Sequence, residues 1–193
     1  MKILTINCSP RKKQSNSYHY INILNKFLKF DYYQINNKNY SCEQIINYDH
    51  IIFVFPLYAD SLPAQLLTFL EINKSFLKNK KVSILVNCGF YEYKHNDVAF
   101  LIFKKIAKTF DFNIINTFQI ATGEAILTTI YKYFIYLKCF FFANAIKKDK
   151  YKNYKTRMLL TKKLFILGSN NYWNKLAKKF NCPQKTLSKM DFN

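Results

Sequence analysis

The sequence predicts an α/β protein built on a doubly wound parallel sheet, with helices on both faces in a three-layer α/β/α arrangement. Short apolar runs alternate with stretches of helical period, the pattern of strands joined by crossover helices. The run IIFVF at 51–55 is apolar without alternation, as a central strand buried on both faces requires, and KVSILVN at 81–87 reads the same way. The chain has 193 residues, half of them hydrophobic, with 19 Phe and 15 Tyr. That suffices for one domain with a full core and argues against disorder.

Five strands are expected, at 3–7, 32–35, 50–55, 82–87 and 113–120. Right-handed crossovers place them in the order 2-1-3-4-5. A first helix is expected over 16–30, with Tyr20, Ile21, Leu24, Phe27 and Leu28 on one stripe. The second connection, 37–48, is weakly patterned and offers only a short helix at 41–47. A third helix starts near Pro63, a favoured first-turn residue, and runs to 77. Asn96 and Asp97 signal the start of a fourth, ending at 110.

The segment 125–146 is long enough to span a bilayer, but Lys132 and Lys138 lie inside it and each is costly at mid-bilayer. A buried or dimer-facing helix is expected, with weak contact at a membrane surface as the alternative and no transmembrane segment. Beyond 147 comes a charged, solvated connection, then the apolar run LFILG at 164–168 and a helix over 170–180. Residues 1–150 are expected to form the main domain, and 151–193 an extension packed on it.

The formal charge is +19. Nearly all cations are Lys, with Arg only at 11 and 157, and Lys is spread along the chain. Arg is the usual base-reading residue, so no specific nucleic-acid binding is expected; the charge instead steers anionic small molecules. Five cysteines (8, 42, 88, 139, 182) form an odd set without a CxxC pair. This argues against a disulfide framework, a zinc ribbon and an iron–sulfur motif, and points to a reducing cytoplasm. The N-terminus lacks the apolar stretch of a signal peptide. The three histidines (19, 50, 95) lack metal spacing, and His95 is a candidate for touching substrate.

Ligands of doubly wound sheets sit outside the C-terminal strand ends, where strand order reverses. Three loops therefore matter. In the first, Ser9, Ser15, Asn16 and Ser17 offer donors and Arg11 charge beside a helix N-terminus, which suits a phosphate group. A capped turn with its cations in solvent is the alternative. In the loop after the third strand, Pro56 stiffens the strand exit, so that the amides of Leu57, Tyr58 and Ala59 face a ligand. The loop after the fourth strand runs Asn87-Cys88-Gly89-Phe90-Tyr91-Glu92. Gly89, one of three glycines, marks a backbone shape that needs it, or else the loop is an ordinary turn with Glu92 facing water. Cys8 and Cys88 fall at this same end, as buried hydrophobes rather than a redox pair.

These loops resemble those of the flavodoxin-like NAD(P)H-dependent FMN reductases and quinone reductases. KILTINCSPRKKQSNS at 2–17 is similar to that family's Gly-Ser-Pro-Arg, a few residues, then Gly-Asn-Ser/Thr, with Cys8 and Ser15 at the two glycine positions. The stretch from Pro56 to Pro63 resembles its Pro-x-Tyr and Leu-Pro-Ala elements. Gly89 to Glu92 resembles its Gly-Phe-Pro-Glu loop with Tyr91 for proline, and Gly123-Glu124 matches a further element. The resemblance implies FMN with its phosphate in the first loop, Tyr58 packed on the ring, and the third loop contacting the ring largely through backbone. It also implies NAD(P)H as hydride donor, a quinone, nitroaromatic or similar small-molecule acceptor, and a homodimer with flavin near the interface. The alternatives are an FMN-binding electron carrier, against which the basic charge argues, and a flavin-free binding or regulatory module.

Overall fold

In a computed structural model, which describes residues 1–35 and 41–181, the chain divides into two compact units, Met1–Met158 and Leu159–Asn193. The start of the second connection, 37–40, and Cys182 lie outside the described residues.

The first unit is a parallel sheet with helices between its strands. Its elements are β1 (Ile3–Asn7), α1 (Asn16–Leu24), β2 (Asp31–Gln34), β3 (His50–Pro56), α2 (Ala64–Ile72), α3 (Lys74–Leu77) and β4 (Lys81–Asn87). They continue with α4 (His95–Phe110), β5 (Asn113–Ile120), α5 (Gly123–Leu127), α6 (Lys132–Lys147) and β6 (Lys152–Thr156). The sheet order is β2-β1-β3-β4-β5-β6, with every pairing parallel. β1 and β3 are neighbours in register, Asn7 opposite Val54, and Pro56 stands opposite Asn87. The strand order reverses between β1 and β3. Ile51 to Phe55 and Val82 to Val86 are buried throughout, which is why these runs carry no polar alternation.

The sheet has six strands, not five. KNYKT, within the stretch expected to be a solvated connection, pairs with β5 as the edge strand β6. Its lysines face water while the Tyr154 ring packs edge-on against Phe118 and Phe142. Asn116 Nδ2 donates to Lys150 O at 2.6 Å and Thr117 Oγ1 to Asn153 Oδ1 at 2.6 Å, which fixes the register. Lysines are a common defence of exposed sheet edges, and that composition hides the strand from a hydrophobicity pattern.

Three expected helices are interrupted or shortened. α1 stops at Leu24, and turns bonded back to Ile21, Ile23 and Leu24 replace its last part. The helix expected to end at 77 breaks at buried Asn73, whose Nδ2 donates to Phe69 O at 2.7 Å and whose Oδ1 accepts from Cys42 N at 2.7 Å. The long apolar segment divides because Thr128 and Thr129 bond back to the carbonyls of Ala125 and Ile126, competing with helical continuation. No described helix is long and apolar enough to cross a membrane. In the second unit, LFILG is not separate from the helix that follows. Thr161 caps a single helix, α7 (Lys162–Lys179), by accepting from Leu164 N at 3.4 Å.

Candidate functional site at the C-terminal end of the sheet

The loop after β1 closes on itself. Asn7 Oδ1 accepts from Ser9 N at 3.1 Å, and Asn7 Nδ2 donates to Gln34 Oε1 at 2.9 Å; Gln34 Nε2 donates to Asn7 O at 3.0 Å. A short 3-10 turn, Lys12–Gln14, follows, and Ser15 Oγ both donates to Lys12 O and accepts from Tyr18 N. Ser15 thus serves as the N-cap of α1. The amides of Asn16 and Ser17, in the first turn, have no intrahelical acceptor. Ser9 is fully buried and its hydroxyl has no protein partner among the described residues. Arg11 and Lys13 are exposed beside it.

Neither position where the family has glycine requires one here. Ser15 sits at φ −93°, ψ 152°, and Cys8 is absent from the left-handed residues, its N–H extending the ladder to Val54 O at 2.9 Å. Burial raises the Cys8 and Cys88 thiols above their ordinary range, so neither favours the reactive thiolate.

The loop after β3 is largely self-satisfied. Leu57 N donates to Asn87 O at 2.8 Å, while Tyr58 and Ser61 exchange backbone bonds at 3.2 and 2.8 Å. Two amides expected to face a ligand are therefore taken up within the protein. Ala59 and Asp60 both adopt left-handed φ, 46° and 52°, turning the chain tightly between Tyr58 and Ser61. The Tyr58 side chain is left exposed.

Asn87 joins the loops. Its Nδ2 donates to Ser17 Oγ at 2.8 Å and to Phe55 O at 3.1 Å, so one buried amide holds α1, β3 and β4 together. Gly89, expected to mark a backbone shape that needs glycine, has no left-handed φ, and a Cβ there meets nothing within 4 Å. The glycine under constraint is Gly123, where a Cβ lies 3.0 Å from Cys88 O and 3.4 Å from the Tyr20 hydroxyl. Gly123 N donates to Cys88 O at 2.7 Å, and buried Tyr20 donates its hydroxyl to Gly123 O. The chain reaches Gly123 through Thr122 at φ 55°.

Exposed Phe90 stacks on His95 with ring centroids 4.1 Å apart. His95 also lies 3.8 Å from Asp60 and 3.9 Å from half-buried Glu92, so it bridges the second and third loops. Arg157, just past β6, places its guanidinium 4.3 Å from the Tyr91 ring and 5.5 Å from the Tyr93 ring. No spacing signal marks it, because β6 itself is not legible as a strand. A cavity of about 430 Å³ opens between α1, α5 and α6, lined by Asn16, His19, Lys26, Glu124 and Lys132 among others. It begins beside the first turn of α1 and does not reach Tyr58 or Phe90.

No protein-family profile and no curated protein sequence matches this chain. Solved structures do match in shape. A protein described as an NADPH-quinone reductase, from P. pentosaceus, superposes with a TM-score of 0.61 at 16% identity, covering 75% of this chain and 99% of that one. General stress protein 14 of Treponema denticola, in complex with FMN, gives 0.59 at 17% identity over 76% and 99%. A Fusobacterium nucleatum flavodoxin bound to flavin mononucleotide gives 0.58 at 13% identity over 78% and 99%. The fold is flavodoxin-like. The sixth strand is an addition to the expected five-stranded flavodoxin-like sheet and leaves the β1/β3 reversal in place.

Proposed function

We propose that this chain is an FMN-dependent oxidoreductase that takes hydride from NAD(P)H and delivers electrons to a small-molecule acceptor such as a quinone or nitroaromatic. The observation that carries the reading is the convergence at the β1/β3 reversal of two kinds of loop. One leaves first-turn helix amides without an intrahelical acceptor and, among the described residues, a buried hydroxyl without a partner; the others present aromatic rings. The solved structures bound to FMN, and the one described as a quinone reductase, support it.

The residues present fit the group. A phosphate on the Asn16 and Ser17 amides satisfies donors the helix leaves open, Ser9 Oγ adds a third, and Arg11 adds charge. Tyr58 and Phe90 would border the ring, and Asn87 holds the loops that carry them. The basic surface raises the local concentration of a phosphorylated reductant. When bound, FMN supplies the hydride- and electron-transfer chemistry, and the protein supplies position and electrostatics.

The test is anaerobic mixing of the FMN-loaded protein with NADPH and with NADH. Bleaching of the oxidised flavin band, restored by added quinone, is expected. A band that either nucleotide leaves intact while dithionite reduces it identifies an electron carrier instead. A protein that takes up no FMN from solution refutes the flavin reading altogether.

A further inference from the structure

The inner stripe of α6 is buried: Ile135, Cys139, Phe142 and Ile146 are inaccessible, and Phe142 packs against Phe118 of β5. Its outer side is equally apolar. Ile130, just ahead of the helix, is 75% exposed, Tyr133 67%, Leu137 50% and Phe141 45%, with Phe134 and Phe140 also exposed. At 3.6 residues per turn these six side chains fall within an arc of about 120°. Lys138 lies just beyond one edge of that arc and Lys147 just beyond the other. Monomeric soluble proteins seldom expose an apolar patch this continuous unless something covers it.

Charge decides between the candidate covers. A second copy brings another +19 to the same contact, which net-charge repulsion opposes. An anionic lipid surface attracts that same charge, and flanking lysines can lay their stems along the apolar region while their ammonium groups reach the headgroups. Aromatic and aliphatic residues on one face with lysines beside them are the composition of helices that lie in the membrane interface. No described helix is suited to crossing the bilayer, so the mode is surface attachment. The second unit, considered by itself, has matching chemistry. α7 buries none of its residues and exposes Leu164, Ile166 and Trp173 between lysines at both ends.

We infer that the outer face of α6 docks onto an anionic lipid bilayer. The proposal does not depend on flavin binding, and its test needs no cofactor. The full-length chain is floated with vesicles of phosphatidylcholine alone and of phosphatidylcholine mixed with phosphatidylglycerol. Flotation with the mixed vesicles, weakened by salt, is expected. The triple substitution Tyr133→Ser, Leu137→Ser, Phe141→Ser should lower partitioning by about tenfold or more while leaving the chain folded, with a cooperative unfolding transition and native circular dichroism. A second readout uses Leu137→Trp in a Trp173→Phe background, whose emission should shift blue and be quenched by brominated lipid. Absence of flotation with anionic vesicles overturns the proposal. So does undiminished flotation of the folded triple variant, which means charge alone holds the chain. A dimer by light scattering that the triple substitution dissociates assigns the face to a second copy and likewise overturns it.

Discussion

The loop after β1 and the loops after β3 and β4 meet at one end of the same sheet but are finished in opposite ways. In the first, polar side chains close the loop: Asn7, Gln34 and Ser15 bind backbone groups, leaving helix amides without an intrahelical acceptor and, among the described residues, one hydroxyl unmatched. In the others, the backbone of the β3 loop closes itself through Leu57, Tyr58 and Ser61, and the rings of Tyr58 and Phe90 stay exposed, Phe90 with one face on His95. The first arrangement favours a compact anion, because unpaired N–H groups at a helix start already point toward one. The second favours a flat apolar body. A site for a molecule with a phosphate at one end and an aromatic system at the other requires both, held at fixed separation, and Asn87 supplies that fixation.

Removing the connection should have the largest effect. Asn87→Ala leaves Ser17 Oγ and Phe55 O without their buried donor. At about 1–3 kcal/mol for each stranded group, a loss near 3 kcal/mol is expected in urea unfolding. Wild-type stability in this variant would mean the two kinds of loop are held together by something else.

Gly123→Val tests the close approach behind both loops. Its Cβ meets backbone at Cys88 O, so about 2 kcal/mol of destabilisation is expected. A valine accommodated at no cost would show that α5 shifts freely against the third loop.

His50, at the opposite end of the sheet, separates scaffold from site. It is buried, accepts or donates at 2.7 Å with Ser83 Oγ, and burial lowers its pKa from 6.5 to about 4. The unfolded chain therefore takes up a proton between about pH 6.5 and 4 that the folded chain refuses, and stability falls as pH drops through that window. About 2 kcal/mol should be lost between pH 7 and 5, by an equal amount with and without FMN, and His50→Gln should flatten the dependence. An FMN-dependent slope would place the titrating group in the site instead.

Ser9→Ala probes the anion side alone. It removes a buried hydroxyl that has no partner among the described residues, so the free protein should keep its stability, whereas FMN affinity in calorimetric titration should fall about tenfold. Unchanged affinity would put the phosphate elsewhere. The smallest effect belongs to Gly89→Ala, which fills open space at an ordinary φ and should change stability by less than about 0.5 kcal/mol. A larger loss would return Gly89 to the constrained role that Gly123 holds.

By itself, the sequence determined the inner strands of the sheet and the point where their order reverses. β1, β3, β4 and β5 were legible because strands buried on both faces must be apolar throughout, and right-handed crossovers then leave one order and one reversal point. The donors of the first loop were legible because capping and helix-terminus chemistry are local. Tertiary structure decided the rest. KNYKT is a strand only because β5 offers it a partner, and its edge position permits lysines. Gly89 and Gly123 look equivalent in sequence, yet only Gly123 has a neighbour's carbonyl against it. Asn87 heads a loop that the sequence marks as a candidate, but its role as a connector exists only because Ser17 and Phe55, distant in sequence, come within hydrogen-bond reach of one amide. Even the apolar character of α6 divided into a buried and an exposed face only when the sheet covered one side of it. Local sequence fixes what each residue can bond with, and the packed chain determines which of those bonds are already made.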